Sequence, residues 1–278
     1  MSAEPNAPSL LSQDALVRAW VLSGVNAPVP ILLHSTDSTN SDAMGLAAKG
    51  APAWTVVVAE EQRKGRGRLD RSWESAAGDA LLLSVVLRPP ATVPVDRLGW
   101  IPLLAGIAVA ESLATPAVPV GLKWPNDVVV DGPASDGSAG PRKLGGILAE
   151  RSGGAVVVGV GINLNSSQGR LPVPAATSLA LEGAGPVERA QLLVDLIIRT
   201  RTLWDRWVSA HGDARRSGLM DRYEAICLTL GRQIEVLLPG REPIRGQALR
   251  TDDQGCLVAD VTGKGQQVIA AGDVVHVR

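Results

Sequence analysis

The chain has no phenylalanine, one tyrosine, two cysteines and three histidines among 278 residues. Cys227 and Cys256 belong to no CxxC pattern, so neither a disulfide framework nor a thiolate metal site is supported, and free thiols fit a reducing compartment. Three scattered histidines exclude a histidine-rich transition-metal centre. No apolar run approaches the roughly 20 residues that span a bilayer, and the N-terminus MSAEPNAPSLLSQD lacks the basic-then-apolar order of a secretory signal. The expected location is therefore the cytoplasm. With 27 Lys+Arg against 28 Asp+Glu the formal net charge is -1, so the chain lacks the basic footprint of a nucleic-acid binder, and any anion must be bound locally. No GxxxxGK[ST] phosphate loop and no internal repeat occurs. The missing phenylalanine, set beside 30 glycines and 19 prolines, reads as genomic bias.

A length of 278 residues that is 45% hydrophobic suffices for one large domain and one small one. Residues 1–10 carry no pattern that would bury them. Ser12 is placed to N-cap a short amphipathic helix through Leu16, Val17 and Trp20 that stops at Gly24. Strands are expected at 31–34, 55–60, Ala80–Leu87, Val120–Lys123, 128–130, 144–151 and Ala155–Asn163, with helices at 38–49 and 95–114. Several gaps are too short for helical crossovers, which favours a mixed, largely antiparallel sheet with flanking helices, an α+β fold. DGPASDGSAGP (131–141) reads as an exposed connection. Pro186 precedes a long helix, 187–209, with Leu192, Leu193, Leu203, Trp204 and Trp207 facing the core. From Gly231 the texture changes to short alternating strands, QIEVLL, PIRGQALR, CLVADV and QVIAAGDVVHV, which describe a small barrel. Its six basic and six acidic residues cancel, which argues against nucleic-acid binding there. The boundaries are 1–30 for a tail and short helix, 31–228 for the main domain and 229–278 for the barrel.

Four segments carry chemistry. In EEQRKGRGRLDRSW, five basic side chains (Arg63, Lys64, Arg66, Arg68, Arg71) surround Gly65 and Gly67; glycines let successive amides converge on an anion, and guanidinium groups add charge-assisted bonds. A solvated connection has the same composition. Ser38-Thr39-Asn40 stands at a helix start, where ordinary capping would account for Ser and Asn. Lys123-Trp124-Pro125-Asn126-Asp127 reads as a turn, but Gly145 and Gly146 in the following RKLGGIL weaken a good strand unless something approaches its backbone, and a ligand is one such thing. GVGIN (159–163) again breaks a valine-rich strand with glycine and ends it on Asn163.

The order STN, QxxGRGR, KWPND, RKLGGIL and GVGIN, followed by a small C-terminal barrel, resembles the biotin protein ligase family from about Ile31 to Arg278. The resemblance implies a catalytic domain related to class II aminoacyl-tRNA synthetases and an SH3-like C-terminal domain. It also implies roles. Ser38, Thr39, Asn40 and Gln62 lie beside the biotin ureido ring, where hydroxyl and amide groups satisfy its polar atoms. Arg66, Gly67 and Arg68 form the loop that folds over biotin and the adenylate. Lys143 stands at the reacting carboxylate and α-phosphate, with Arg68 as a second catalytic cation, and Gly145 and Gly146 let the biotin chain lie against the strand. Trp73, Asn126, Asp127 and Asn163 fall near the nucleotide.

The activity so implied is ATP-dependent formation of biotinyl-5'-AMP and transfer of the biotinyl group to a lysine of a biotin carboxyl carrier domain. ATP with Mg²⁺, without a dedicated protein metal site, and biotin are the small-molecule requirements. The chain is expected to act as a monomer or weak homodimer, without DNA or membrane. About 30 residues before the first strand cannot encode the winged helix-turn-helix of the repressor-type relatives, so no repressor function is expected. Asp70 stands where relatives often have a further glycine. Two alternatives remain at this point: a lipoate-type ligase, which would need an apolar slot rather than ureido-satisfying groups, and a non-catalytic biotin- or nucleic-acid-binding regulator.

Overall fold

The computed structural model describes residues 10–115, 118–132, 141–238, 240 and 242–277. Most of the 131–141 connection and of the N-terminal tail lies outside them. In chain order the elements are α1 (Gln13–Leu22), β1 (Ile31–Thr36), α2 (Thr39–Ala48), β2 (Val56–Gln62), β3 (Gly65–Arg66), β4 (Ser72–Trp73), β5 (Ala80–Leu87), α3 (Trp100–Leu113), β6 (Val120–Lys123), β7 (Asp127–Val130), β8 (Arg142–Ser152), β9 (Ala155–Asn163), α4 (Arg189–Ser209), α5 (Leu219–Ile226), β10 (Gln233–Leu237), β11 (Ile244–Thr251), β12 (Leu257–Val261), β13 (Gly265–Ile269) and β14 (Asp273–His276). They form two compact units: the described residues up to Arg88 with Leu144–Ile197, and Pro89–Lys143 with the residues from 198 onward.

In the first unit the strands lie in the order β1-β2-β5-β9-β8. β1 and β2 are parallel, as the α2 crossover between them requires, and the remaining pairs are antiparallel. Every residue of β5 is buried, as its unbroken ALLLSVVL run demands of a central strand covered on both faces. Ala43 and Ala47 let α2 approach closely, packing on Val57, Val86, Ala155 and Val157. The β8–β9 hairpin closes on Gly153 and Gly154, both left-handed (φ 44° and 79°), a two-residue turn that only glycine enters without strain. The Ser12 cap forms, its side chain accepting from the Ala15 N–H, and Leu16 and Trp20 are buried. Beneath the sheet the buried Glu60 carboxylate takes two hydrogen bonds from Arg189 (2.9 and 3.0 Å) and one from the Leu11 N–H at 2.6 Å.

In the second unit the helix expected at 95–114 proves to be a 3₁₀ turn, Val95–Gly99, followed by α3. Pro102 explains the break: without an N–H it belongs in a first turn, so an α-helix running through from Val95 would lose a bond there. β6 and β7 form the hairpin around KWPND. The long helix buries Leu192, Leu193, Leu203, Trp204 and Trp207 as expected. α5 was not legible, being eight residues with only Leu219, Met220 and Tyr223 buried.

The C-terminal strands form an antiparallel sheet in the order β13-β12-β11-β10-β14. QVIAAGDVVHV is not one strand: it breaks at Gly272 (φ 142°) into β13 and β14, which lie at opposite edges of the sheet. The link from Ile269 to Asp273 reaches at most about 14 Å, whereas five flat strands would hold their edges about 19 Å apart. The sheet must therefore curl into a barrel. Its β11–β12 turn is gripped by two indole N–H groups, Trp100 donating to the Asp252 carbonyl and Trp124 to the Gly255 carbonyl, each at 3.1 Å.

Candidate active site

Ser38, Thr39 and Asn40 stand where β1 gives way to α2, and all three are buried. Ser38 holds the N-cap position but its side chain makes no capping bond. Thr39 and Asn40 instead enter a polar chain within the first unit. The Gln62 Oε1 accepts from the Thr39 N–H (2.8 Å) and lies 3.0 Å from Thr39 Oγ1. Ser84 Oγ sits 2.8 Å from Thr39 Oγ1 and 2.6 Å from Asn40 Oδ1. Asn40 Nδ2 donates to the Leu148 carbonyl (3.3 Å) and to Glu150 Oε2 (2.7 Å). Arg66 Nη2 then donates to the same Glu150 oxygen at 3.0 Å.

Proton positions follow from these partners. The Leu148 carbonyl and Glu150 carboxylate only accept, so Asn40 must turn its NH₂ toward them and its Oδ1 toward the Ser84 hydroxyl. Asn40 is thus fully committed to the protein, and a Cβ at Gly159 would overlap its carboxamide. The other interrupted positions have similar neighbours. At Gly161 the missing side chain makes room for the Trp73 indole; at Gly145 a Cβ would stand 2.7 Å from the Gly161 carbonyl of the paired strand. Gly146 pairs with Gly161. Asn163 is buried, its Nδ2 donating to the Thr177 carbonyl at 3.0 Å, which ties the end of β9 to the segment beyond it.

The GRGR segment folds as a small hairpin, β3 against β4, with Gly65 opposite Trp73 and Arg66 opposite Ser72. Gly67 N–H donates to the Arg71 carbonyl at 2.7 Å, and Leu69 at the tip takes a left-handed conformation (φ 54°, ψ 42°). A side chain at Gly65 would overlap the Trp73 carbonyl. Not all five cations face one way: Lys64 and Arg63 both pair with Asp37 at 3.0 Å, holding that carboxyl below its ordinary range, while Arg66 pairs with Glu150. Beside the hairpin an open cavity of about 500 Å³ is lined by Glu61, Gln62, Arg63, Glu74, Ser75 and Arg170, among others. Arg170 pairs with the buried Asp79 (3.2 Å), whose carboxyl is pushed up by burial against the pull of that guanidinium.

In the second unit Lys143, at the start of β8, is about one-third exposed and lies 2.6 Å from Asp127 Oδ1 at the start of β7. Asn126 precedes it in the turn. Trp124 is buried, its N–H donating to Thr229 Oγ1 at 3.0 Å. On the far side of that hydroxyl stands His276, 3.3 Å away; burial, with Lys123 and Arg232 nearby, pulls its imidazole down to about 4. Burial pushes the neighbouring Tyr223 and Cys227 up.

Sequence reasoning missed Ser84, Glu150 and Arg170. Ser84 had a signal, as the one polar residue in ALLLSVVL; Glu150 and Arg170 had none, standing among ordinary surface residues.

Residues 32–167 match the biotin/lipoate A/B protein ligase family. The chain is 39% identical over 252 residues to the biotin–acetyl-CoA-carboxylase ligase of Mycobacterium tuberculosis, covering 89% of this chain and 88% of the relative. It is 31% identical over 253 residues to the biotin–acetyl-CoA-carboxylase ligase of Paracoccus denitrificans, covering 87% and 98%. Among solved structures it resembles the biotin protein ligase from Aquifex aeolicus in complex with biotin and ATP, with a TM-score of 0.71, 28% identity, and coverage of 90% of this chain and 98% of that one. A relative so similar over most of both chains, and a matching fold, leave one conclusion: the chain belongs to the biotin protein ligase family.

Proposed function

We propose that this protein is a biotin protein ligase that converts biotin and ATP to biotinyl-5'-AMP and then passes the biotinyl group to a carrier lysine. Within the fold, the observation that favours a ureido-bearing substrate is the chain through Gln62, Thr39, Ser84 and Asn40. Because Gln62 Oε1 is held by Thr39, its NH₂ group is turned away from Thr39 as a fixed donor beside the glycine hairpin. Such a donor suits a carbonyl of the ureido type; a dithiolane ring offers it nothing.

In the first half-reaction an anionic carboxylate attacks an anionic triphosphate, so the protein must neutralise repulsion and fix alignment. Lys143 and Arg68 are assigned to that task. Asp127 holds the Lys143 ammonium in place. A magnesium ion is assigned to the phosphates, held chiefly by phosphate and water oxygens. When bound, that ion supplies charge neutralisation on the phosphates. In the second half-reaction a lysine amine attacks the mixed anhydride and expels AMP; since water would destroy the anhydride, the β3–β4 hairpin is assigned as the lid that excludes it.

We take the acceptor to be a biotin carboxyl carrier domain, in keeping with relatives named for acetyl-CoA carboxylase. Residues 31–228 act as the catalytic domain and 229–278 as the C-terminal domain, in a monomer or weak homodimer. No helix among the described residues is long and apolar enough to cross a membrane. The deciding experiment is ATP-dependent pyrophosphate release on adding biotin, with lipoate as the comparator: release with biotin and not with lipoate is expected, and the reverse overturns the assignment.

A further inference from the structure

We infer that Glu150 is a positioning residue for the ligand loop, acting through Arg66. The inference rests on the ligase reading for what the loop holds, but its geometry stands apart from that reading. One carboxylate oxygen, Glu150 Oε2, receives both Asn40 Nδ2 (2.7 Å) and Arg66 Nη2 (3.0 Å). From the inside, the carboxylate is held by a residue that cannot move: Asn40 is 4% exposed, spends both ends of its amide on Ser84, Leu148 and Glu150, and fills the space left by Gly159. From the outside, Arg66 is one of only two residues in β3, and its pairing with Ser72 shapes the hairpin. Arg66 Nη2 also lies 3.4 Å from Ser41 Oγ, one residue beyond the buried triplet.

Glu150 therefore transmits the rigidity of the STN segment to the glycine hairpin. The chain Gln62–Thr39–Ser84–Asn40–Glu150–Arg66 has a ring-facing amide at one end and a loop cation at the other, so the hairpin is ordered in register with the amide before any ligand arrives. Less ordering is then left for biotin to impose on binding. At saturating biotin the ligand orders the loop in any case, so the loss of Glu150 weakens binding and retention while sparing the chemical step.

Glu150→Gln separates the two arms. It keeps an acceptor for Asn40 and removes the charge that Arg66 pairs with. In the full-length protein with neither biotin nor ATP present, limited trypsin cleavage after Arg68 and Arg71, read by mass spectrometry, is expected to run about threefold to fivefold faster than in the wild type, the upper part of the range for a partly exposed, charge-assisted pair. Arg66→Gln should produce the same acceleration from the other side. In the Arg66→Gln background, adding Glu150→Gln should change the rate by less than about 1.5-fold, because the shared contact is already gone. Glu150→Ala, which strands Asn40 as well, should lower the melting temperature where Glu150→Gln does not. With substrates, Glu150→Gln should raise the biotin KM about threefold to fivefold and leave single-turnover adenylate formation at saturating biotin within about twofold. Wild-type cleavage in Glu150→Gln, or equal acceleration with and without Arg66, overturns the inference, as does a loss confined to the saturated rate. A wild-type protein that releases no pyrophosphate would defeat the ligase reading alone, since the ligand-free cleavage comparison would still decide the role of Glu150.

Discussion

Replacing Arg189 with Met removes both guanidinium bonds to Glu60 and a third to the Ala80 carbonyl at 3.3 Å. Arg189 and Glu60 side chains are 4% and 3% exposed, so water cannot take over the stranded carboxylate without opening the fold. Breaking a buried pair from one side costs about 3–5 kcal/mol. The Leu11 N–H remains at 2.6 Å and retains part of the stabilisation, which places the expected loss near the lower bound, about 3 kcal/mol. At about 2–4 °C per kcal/mol for a chain of this size, the melting temperature should fall by about 6–12 °C. Urea unfolding, read beside calorimetry, measures the loss. The double replacement Glu60→Leu with Arg189→Met should recover most of it, because the cost lies in the unpaired charge rather than in the missing pair. A loss below about 1 kcal/mol in the single variant, or a double variant as unstable as the single, would refute the reasoning.

Deleting residues 1–10 should leave kcat/KM within about tenfold, or 1.4 kcal/mol, because the new amino group at Leu11 can still serve Glu60; removing Leu11 and Ser12 as well takes away that donor and the α1 cap and should cost about 1–2 kcal/mol of stability by urea unfolding. Lys143→Ala should slow single-turnover biotinyl-AMP formation by about 100-fold or more with little change in melting, since its partner Asp127 is partly exposed; wild-type formation would remove Lys143 from the mechanism. Arg68→Gly should speed escape of the adenylate more than it slows synthesis, so that bystander lysines become labelled in a mixed-protein assay; labelling confined to the carrier would count against the lid. His276, held down to about 4 in the fold against about 6.5 unfolded, takes up a proton on unfolding within that window. Stability should therefore fall as pH drops from 6.5 toward 4, and His276→Gln should flatten that slope in pH-dependent melts; an unchanged slope would show that the imidazole is not the group responsible.

Periodicity located nearly every buried strand, because continuous valine and leucine runs such as ALLLSVVL admit few alternatives. It overran at 95–114 because apolar content continues through Pro102 while the hydrogen-bond ladder cannot. It also joined β13 to β14, where alternation persists across a left-handed glycine that redirects the chain. At the site, the family resemblance singled out STN, Gln62 and the glycine hairpin, and these do come together in the first unit. Spacing could not say which polar atoms would remain for a ligand. Asn40, which the resemblance places beside the ligand, is held by Ser84, Leu148 and Glu150; Glu150, which carried no signal in the sequence, joins Asn40 to Arg66. The glycines of GVGIN mark close approach, as glycine in a strand should, but the approaching groups at 159 and 161 are the protein's own Asn40 and Trp73.

The grip of Trp100 and Trp124 on the β11–β12 turn bears on how the chain emerges from the ribosome. The Trp100 bond to Asp252 bridges 152 positions and the Trp124 bond to Gly255 bridges 131. At about 5–20 residues per second, α3 and the KWPND hairpin wait on the order of 7–30 s for the turn that receives their indole N–H groups. During that interval two indole N–H groups lack their native acceptors, and the aromatic rings that carry them lack part of their native surroundings. A nascent chain halted before residue 251 should therefore stay bound to a hydrophobic-surface chaperone, and one extended past residue 256 and clear of the exit tunnel should be released. The C-terminal barrel is thus the last step in closing the second unit, and a gene truncated ahead of it would yield an aggregation-prone fragment rather than a smaller enzyme.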